Sequence, residues 1–274
     1  MDRKSRYDID LDRNPANYAT LTPLDFLSRA ANVHPGRTAI VYGARRQTYA
    51  ETYARCRRLA GALAAHGIER GNTVSLLAPN IPETLEAHFA VPMSGAVLNA
   101  LNIRLDAPLI GRLLEHAESK LILVDREFAP LLHEAMDHSG VRPYVVTVDD
   151  PETKVEDTSL GDESFEHFIS NGAADHDWQR PEDEWDAITL SYTSGTTGNP
   201  KGVVYHHRGA YLNALSNAFA AVLTPKSVYL WTLPMFHCNG WTYTWAVTAM
   251  AGTHICLRRI ESAQTYMSTG HCRY

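Results

Sequence analysis

Ser191-Tyr192-Thr193-Ser194-Gly195-Thr196-Thr197-Gly198-Asn199-Pro200-Lys201-Gly202 places four hydroxyl residues, two glycines and one lysine between Thr193 and Lys201. Glycine lets backbone amides approach an anion with no side chain in the way. Successive N–H groups in a turn form a concave nest for phosphate. Thr193, Ser194, Thr196 and Thr197 add hydroxyl donors, and Lys201 adds a mobile point charge. Such a loop suits a polyphosphate. The bland alternative is a surface hairpin turn rich in small polar residues. The ordered mixture of hydroxyls, glycines and one lysine argues against it.

The stretch is not a Walker A loop. That motif needs a second glycine five residues after the first, then Lys, then Ser or Thr. Counting from Gly195 gives Pro200, Lys201 and Gly202, so only the lysine falls in place. The flanks disagree as well. Asp186 to Tyr192 alternates as a strand, and so does Gly202 to Tyr205. A P-loop runs from strand straight into helix. Here the loop joins two strands, and the next helix is expected only over Arg208 to Ala221, with Leu212, Leu215 and Phe219 as its apolar face.

Upstream, strand-like runs begin near Thr73, Val97, Lys120 and Tyr144, a step of about 24 residues. Helical stretches lie between them, over Ile81 to Met93, Ala107 to His116 and Glu127 to Asp137. This alternation predicts an α/β fold of βαβ units with mostly parallel sheets flanked by helices. Thr22 and Pro23 open a short helix over Leu24 to Asn32, with Thr22 as its N-cap. Thr38 to Tyr42 and Gln47 to Tyr49 read as a hairpin around Gly43, and Ala50 to His66 as a helix ended by Gly67. Residues 1–21 are polar. Residues 149–184 are acidic and poor in serial aliphatics, which reads as a surface connection with one helical turn around Ser164 to Ile169. Val228 to Leu233 and Thr253 to Leu257 read as strands, and Gly240 to Met250 as a buried helix.

With 274 residues, 45% of them hydrophobic, the chain can bury a substantial core. A net charge of −6 argues against a general electrostatic grip on nucleic acid. Cys56, Cys238, Cys256 and Cys272 are spaced for neither a disulfide framework nor a zinc knuckle. Met1 to Asn14 does not read as a signal peptide, and no apolar run is long enough to span a membrane. The ending His271-Cys272-Arg273-Tyr274 is not a peroxisomal tripeptide, so a cytoplasmic location is expected for this form.

A second stretch, Phe236-His237-Cys238-Asn239-Gly240-Trp241, follows a strand and Pro234. In α/β sheets ligands gather at the carboxyl ends of strands. His237 has the chemistry to donate a hydrogen bond to an acyl oxygen, and Gly240 and Trp241 to shape an apolar pocket. A core histidine among packed aromatics is the competing reading. The pairs His206–His207, His237–Cys238 and His254–Cys256 invite a metal reading, but adjacent residues on a strand point to opposite faces. No metal site is expected. Ser194 lacks a Gly-x-Ser-x-Gly nucleophile elbow.

Tyr192 to Gly202 resembles the phosphate-loop signature of the adenylate-forming family, which includes acyl-CoA synthetases, coumarate–CoA ligases and luciferases. The likeness runs on through Ala90 to Asn99 and Leu233 to Trp241. It is closest to plant acyl-activating enzymes of the peroxisomal short-chain and benzoate–CoA ligase type, and it covers about Leu21 to Tyr266. The resemblance implies ATP-dependent activation of a short-chain, medium-chain or aromatic carboxylic acid, with Mg²⁺, and transfer of the acyl group to CoA. The loop (Thr193, Ser194, Gly195, Thr196, Thr197, Gly198, Lys201) would hold the β- and γ-phosphates. His237 would stand near the carboxylate as the catalytic residue, and Asn239, Gly240 and Trp241 would line the acyl site. Residues 22–266 would form the AMP-binding part and 267–274 a divergent tail. The family's later motifs and its C-terminal lid domain have no counterpart in the chain. A truncated product is therefore expected, with a non-catalytic module that binds nucleotide or a full-length sibling as the rival reading.

Overall fold

The regular alternation read from the sequence becomes a parallel sheet. The computed structural model describes residues 5–153, 155, 161–193 and 200–259. Its strands are β1 (Thr38–Tyr42), β2 (Arg45–Thr48), β3 (Thr73–Leu77), β4 (Val97–Ala100), β5 (Ser119–Asp125), β6 (Tyr144–Val148), β7 (Glu163–Ser164), β8 (Ala187–Thr193), β9 (Lys201–His206), β10 (Val228–Leu230) and β11 (Thr253–Ile255). Its helices are α1 (Leu24–Val33), α2 (Tyr49–Ala65), α3 (Pro82–Met93), α4 (Ala107–His116), α5 (Ala129–Ser139), α6 (Phe165–Ser170), α7 (His207–Ala220), the short turn α8 (Cys238–Trp241) and α9 (Tyr243–Ala249).

Seven strands form one sheet in the order β7-β6-β5-β3-β4-β8-β9, and four form a second in the order β10-β11-β1-β2. In the larger sheet β8 and β9 are antiparallel, and the other described pairings are parallel. The carboxyl ends of β3, β4, β5, β6 and β8 therefore share one rim. Helices α4 and α5 cover one face of this sheet through Ile110, Leu114, Leu132 and Ile122. The main core lies on the other face, where α1, α2, α3 and α9 join Ile40 of the small sheet to Leu76 of the large one.

α3 is central, and every residue from Pro82 to Met93 is buried. That includes two carboxylates. Arg45 meets Glu83 at 2.6 Å, Arg55 meets Glu86 at 2.7 Å, and Gln47 donates to Glu86 at 2.8 Å. The partners arrive because α2 is firmly started. The Thr48 side chain accepts from the Glu51 amide at 3.2 Å, and Glu51 accepts from the Thr48 amide at 2.7 Å, a reciprocal capping box.

The sequence reading needs four corrections. Pro23, not Thr22, stands at the cap position before α1; the Thr22 hydroxyl still accepts from the Leu24 amide at 3.3 Å and also meets His207 at 2.9 Å. α7 buries the small residues Ala210, Ala214 and Ala218, while Leu212 and Phe219 face solvent. α7 packs against α9, and small side chains suit such a close approach. The acidic connection is not merely solvated. Phe165, Phe168 and Ile169 are buried, and a Cβ on Gly172 would lie 1.8 Å from the Arg58 carbonyl oxygen on α2. The strands near residues 228 and 253 are short, and the helix expected from Gly240 begins at Tyr243.

Two stability predictions follow from the buried polar groups. In Arg55→Met, Glu86 keeps only Arg45 at 3.6 Å among the salt-bridge partners recorded for it. Breaking a buried pair from one side costs about 3–5 kcal/mol, and urea unfolding should read that loss. A loss under about 1 kcal/mol would mean that Arg45 and Gln47 suffice to hold Glu86. His88, His207 and His254 are held neutral by burial, with pKa values lowered from 6.5 to about 4, about 4 and about 3. Between pH 6.5 and about 4 the unfolded chain thus binds more protons than the folded one. Stability should fall as pH drops through that window. His207→Asn should flatten the fall in urea midpoint between pH 7 and pH 5, and an unchanged slope would exclude His207 as a contributor.

Candidate active site

Thr193 at the end of β8 pairs with Lys201 at the start of β9. The glycine-rich loop therefore closes an antiparallel hairpin, as its flanks predict, and α7 starts only at His207. Ser194, Gly195, Thr196, Thr197 and Gly198 lie outside the described residues. Thr193 and Lys201 are exposed at the mouth of the loop. Directly below, the Tyr192 hydroxyl stands 2.7 Å from His116 Nδ1 at the end of α4. Burial pushes the Tyr192 phenol up to about 12, so it keeps its proton and can donate to the imidazole.

The second stretch is brought to the same rim by Asn80, which follows β3. Its amide nitrogen donates to the carbonyls of Trp231 (3.0 Å) and Leu233 (2.9 Å), and its carbonyl oxygen accepts from the Met235 amide at 2.8 Å. Beyond His237 the backbone turns left-handed. Cys238, Asn239, Gly240, Trp241 and Thr242 have φ values of 50°, 55°, 59°, 54° and 63°. A left-handed helix costs roughly 1–2 kcal/mol per non-glycine residue, so this turn must be held from outside. Asn239 Nδ2 donates to Thr189 Oγ1 on β8 at 2.9 Å. From α7, Asn213 donates to Thr242 Oγ1 at 3.0 Å, and Asn217 donates to the Trp241 carbonyl at 2.7 Å and to Thr242 Oγ1 at 3.0 Å. Gly240 lies against Trp231, where a Cβ would stand 2.4 Å from the indole.

The residues singled out in the sequence thus divide. His237 is exposed, and Trp241 is 60% exposed, on the solvent side of the turn. Asn239 and Gly240 are buried beneath it. The aromatic wall under the turn is Trp231. Asn80, Thr189, Asn213, Asn217 and His116 escaped the sequence reading. Only Asn80, between two prolines at a strand end, carried a local signal. The paired histidines serve structure. His206 accepts from the Gly209 amide at 2.9 Å and stacks on Trp185. Trp231 Nε1 can only donate, so His254 Nδ1 accepts from it at 3.2 Å and Nε2 carries the proton towards Thr248 at 3.0 Å. Among the described residues no three His, Cys, Asp or Glu side chains stand where they could hold a metal, and no helix is long and apolar enough to cross a membrane.

The family described as AMP-binding enzyme matches residues 27–269. The peroxisomal acetate/butyrate–CoA ligase of Arabidopsis thaliana is 50% identical over 268 residues, covering 94% of this chain and 47% of its own length. The acetate–CoA ligase of Humulus lupulus is 48% identical, with the same two coverages of 94% and 47%. Among solved structures, the N-terminal domain of FACL13 from Mycobacterium tuberculosis aligns at a TM-score of 0.75 and 27% identity, over 90% of this chain and 60% of that one. O-succinylbenzoate CoA synthetase from Bacillus subtilis, in complex with ATP and magnesium ion, aligns at 0.72 and 26% identity, over 90% and 47%. The chain belongs to the AMP-binding enzyme family, and its fold is the N-terminal part of an adenylate-forming CoA ligase domain. It spans about half the length of the relatives it matches.

Gly240→Ala should cost about 2–4 kcal/mol, from left-handed strain and from overpacking against Trp231. Gly67, at φ +87° with open space around its missing Cβ, supplies the control for backbone strain alone. In urea unfolding Gly240→Ala should lose clearly more than Gly67→Ala. Equal losses would mean that the indole yields.

Proposed function

We propose that the chain carries the carboxylate-activating half of an acyl-CoA ligase. The observation that carries this reading is the convergence of two stretches on one rim. The hairpin closed by Thr193 and Lys201 leaves β8, and the turn after His237 is tied to the same strand through Asn239 and Thr189. A site that joins a carboxylate to a polyphosphate needs both groups held at once. The names of the relatives point to acetate, butyrate and aromatic acids as substrates to try.

In this reading a carboxylate oxygen attacks the α-phosphorus of ATP, pyrophosphate leaves, and the thiol sulfur of CoA later displaces AMP from the acyl carbon. The first step brings two anions together, so donors and cations around the phosphates set its rate. Thr193, Ser194, Gly195, Thr196, Thr197, Gly198 and Lys201 hold the departing pyrophosphate. Lys201, exposed at the loop mouth, is the cation. Mg²⁺ bound with the nucleotide would supply further charge neutralisation beside Lys201. His237 donates to the carboxylate oxygen that does not attack. Asn239 and Gly240 act by shaping the turn, and Trp241 borders the acyl chain from the open side.

A second reading is that these residues bind nucleotide or a partner chain without turning over. Carboxylate-dependent ATP–pyrophosphate exchange separates the two readings, with acetate, butyrate and benzoate as test acids. Exchange by the chain itself supports the first. If only the full-length natural protein exchanges, the chain is a module and the site assignment stands. No exchange from either removes the ligase reading. Lys201→Ala should leave thermal melting unchanged, because exposed substitutions stay within about ±0.5 kcal/mol. It should lower exchange about 10²–10³-fold, the usual loss of one charge-stabilising donor. Unchanged exchange would remove the loop from the mechanism.

A further inference from the structure

The left-handed turn after His237 is costly and is held by residues that none of the motifs contains. Asn217 spends both protons of its amide on it, one on the Trp241 carbonyl (2.7 Å) and one on Thr242 Oγ1 (3.0 Å). On the opposite side, Thr189 Oγ1 receives the amide of Asn239, which is fully buried, at 2.9 Å. Strain of this kind persists where surrounding structure over-determines it, and it concentrates at functional sites. Thr189 lies four residues before Thr193 on the same strand, so the turn and the phosphate loop are fixed to one rigid element. The turn carries an exposed histidine, and the clamp reaches the turn from α7 and from β8.

We propose that Asn217 and Thr189 are positioning residues that set where His237 stands relative to Thr193 and Lys201 at the end of the β8–β9 hairpin, by holding the left-handed turn from α7 and from β8. The proposal rests on the carboxylate-activation reading. It makes the turn a gauge of distance between two half-sites. With the clamp intact, His237 meets the carboxylate while the α-phosphorus is in line. With it loosened, the turn relaxes toward ordinary backbone angles and His237 moves, whereas Thr193 and Lys201 stay paired at the hairpin end. The clamp therefore governs the acid side of the reaction and not the ATP side.

The test uses Asn217→Asp and Thr189→Val, near-isosteric changes that remove one donor and one acceptor, in the full-length natural protein. Steady-state pyrophosphate exchange is measured against acid and against ATP, with thermal melting alongside. A misplacement near 1 Å can cost about 10²-fold. Both variants should therefore lose about 10–100-fold in kcat/KM for the acid, while KM for ATP stays within about 2-fold. A purely structural role would lower the melting temperature and move acid and ATP parameters alike, which would overturn the proposal. So would unchanged acid kinetics in both variants. If Asn217→Asp does not fold, Thr189→Val, which adds no charge, decides the matter. Absence of acid-dependent exchange in the unsubstituted protein would instead sink the carboxylate-activation reading, so the two failures are distinguishable.

Discussion

The structure depends on α3 being buried on all sides while carrying two glutamates. Burying a carboxylate without a partner is expensive, and burying it with a well-placed arginine is roughly neutral. Arg45 from β2 and Arg55 from α2 must therefore reach Glu83 and Glu86 before the two sheets can close on the helix. The pairing fixes α2 against α3 and the β1–β2 hairpin against both. It also fixes the start of α3. Just before that start stands Asn80, which holds the backbone from Trp231 to Met235. The line from a buried ion pair to His237 is thus short.

A second tie joins the sheets at the carboxyl rim. Arg258, just past β11 in the small sheet, meets Asp125 at the end of β5 at 2.6 Å and Asp150 beyond β6 at 2.5 Å. Tyr42, at the end of β1, donates to the same Asp150 at 2.5 Å. Burial works to lower the pKa of the guanidinium, but the carboxylates around it raise it above its ordinary value. Charge thus holds the small sheet to the β5–β6 side of the rim, as it holds α3 in the interior.

Helices and strands were readable because their signals are local. A period near 3.6 or 2, a proline at a helix start, and a glycine after a helix end each act within a few residues. α4 was read with its boundaries intact, and the parallel strands to within a residue or two at their starts. The errors have a common cause. Thr22 looked like the cap residue but stands one residue earlier, its hydroxyl shared between the Leu24 amide and His207, which lies far along the chain. Leu212, Leu215 and Phe219 looked like the core face of α7, yet of the three Leu215 packs against the core, Leu212 and Phe219 face solvent, and the alanines are buried where α7 meets α9. In each case a distant partner overrode a sound local preference.

The sequence by itself determined the class of fold and a connection rich in glycine and hydroxyl residues between two strands. Both follow from residue types whose effect is carried by the local backbone: alternating apolar runs, glycines without a Cβ, hydroxyls and a lysine in series. It also pointed to Phe236–Trp241 as a second functional stretch. Only the tertiary structure decided how that stretch is shaped. No local preference would drive five successive residues into left-handed geometry, since four of them carry a Cβ that opposes it. The turn exists because Thr189, Asn213, Asn217 and Trp231 meet there, brought from two strands and a helix by the packing of the sheet. Interactions between residues far apart in the chain leave no periodicity to read, and so the loop was legible while the clamp was not.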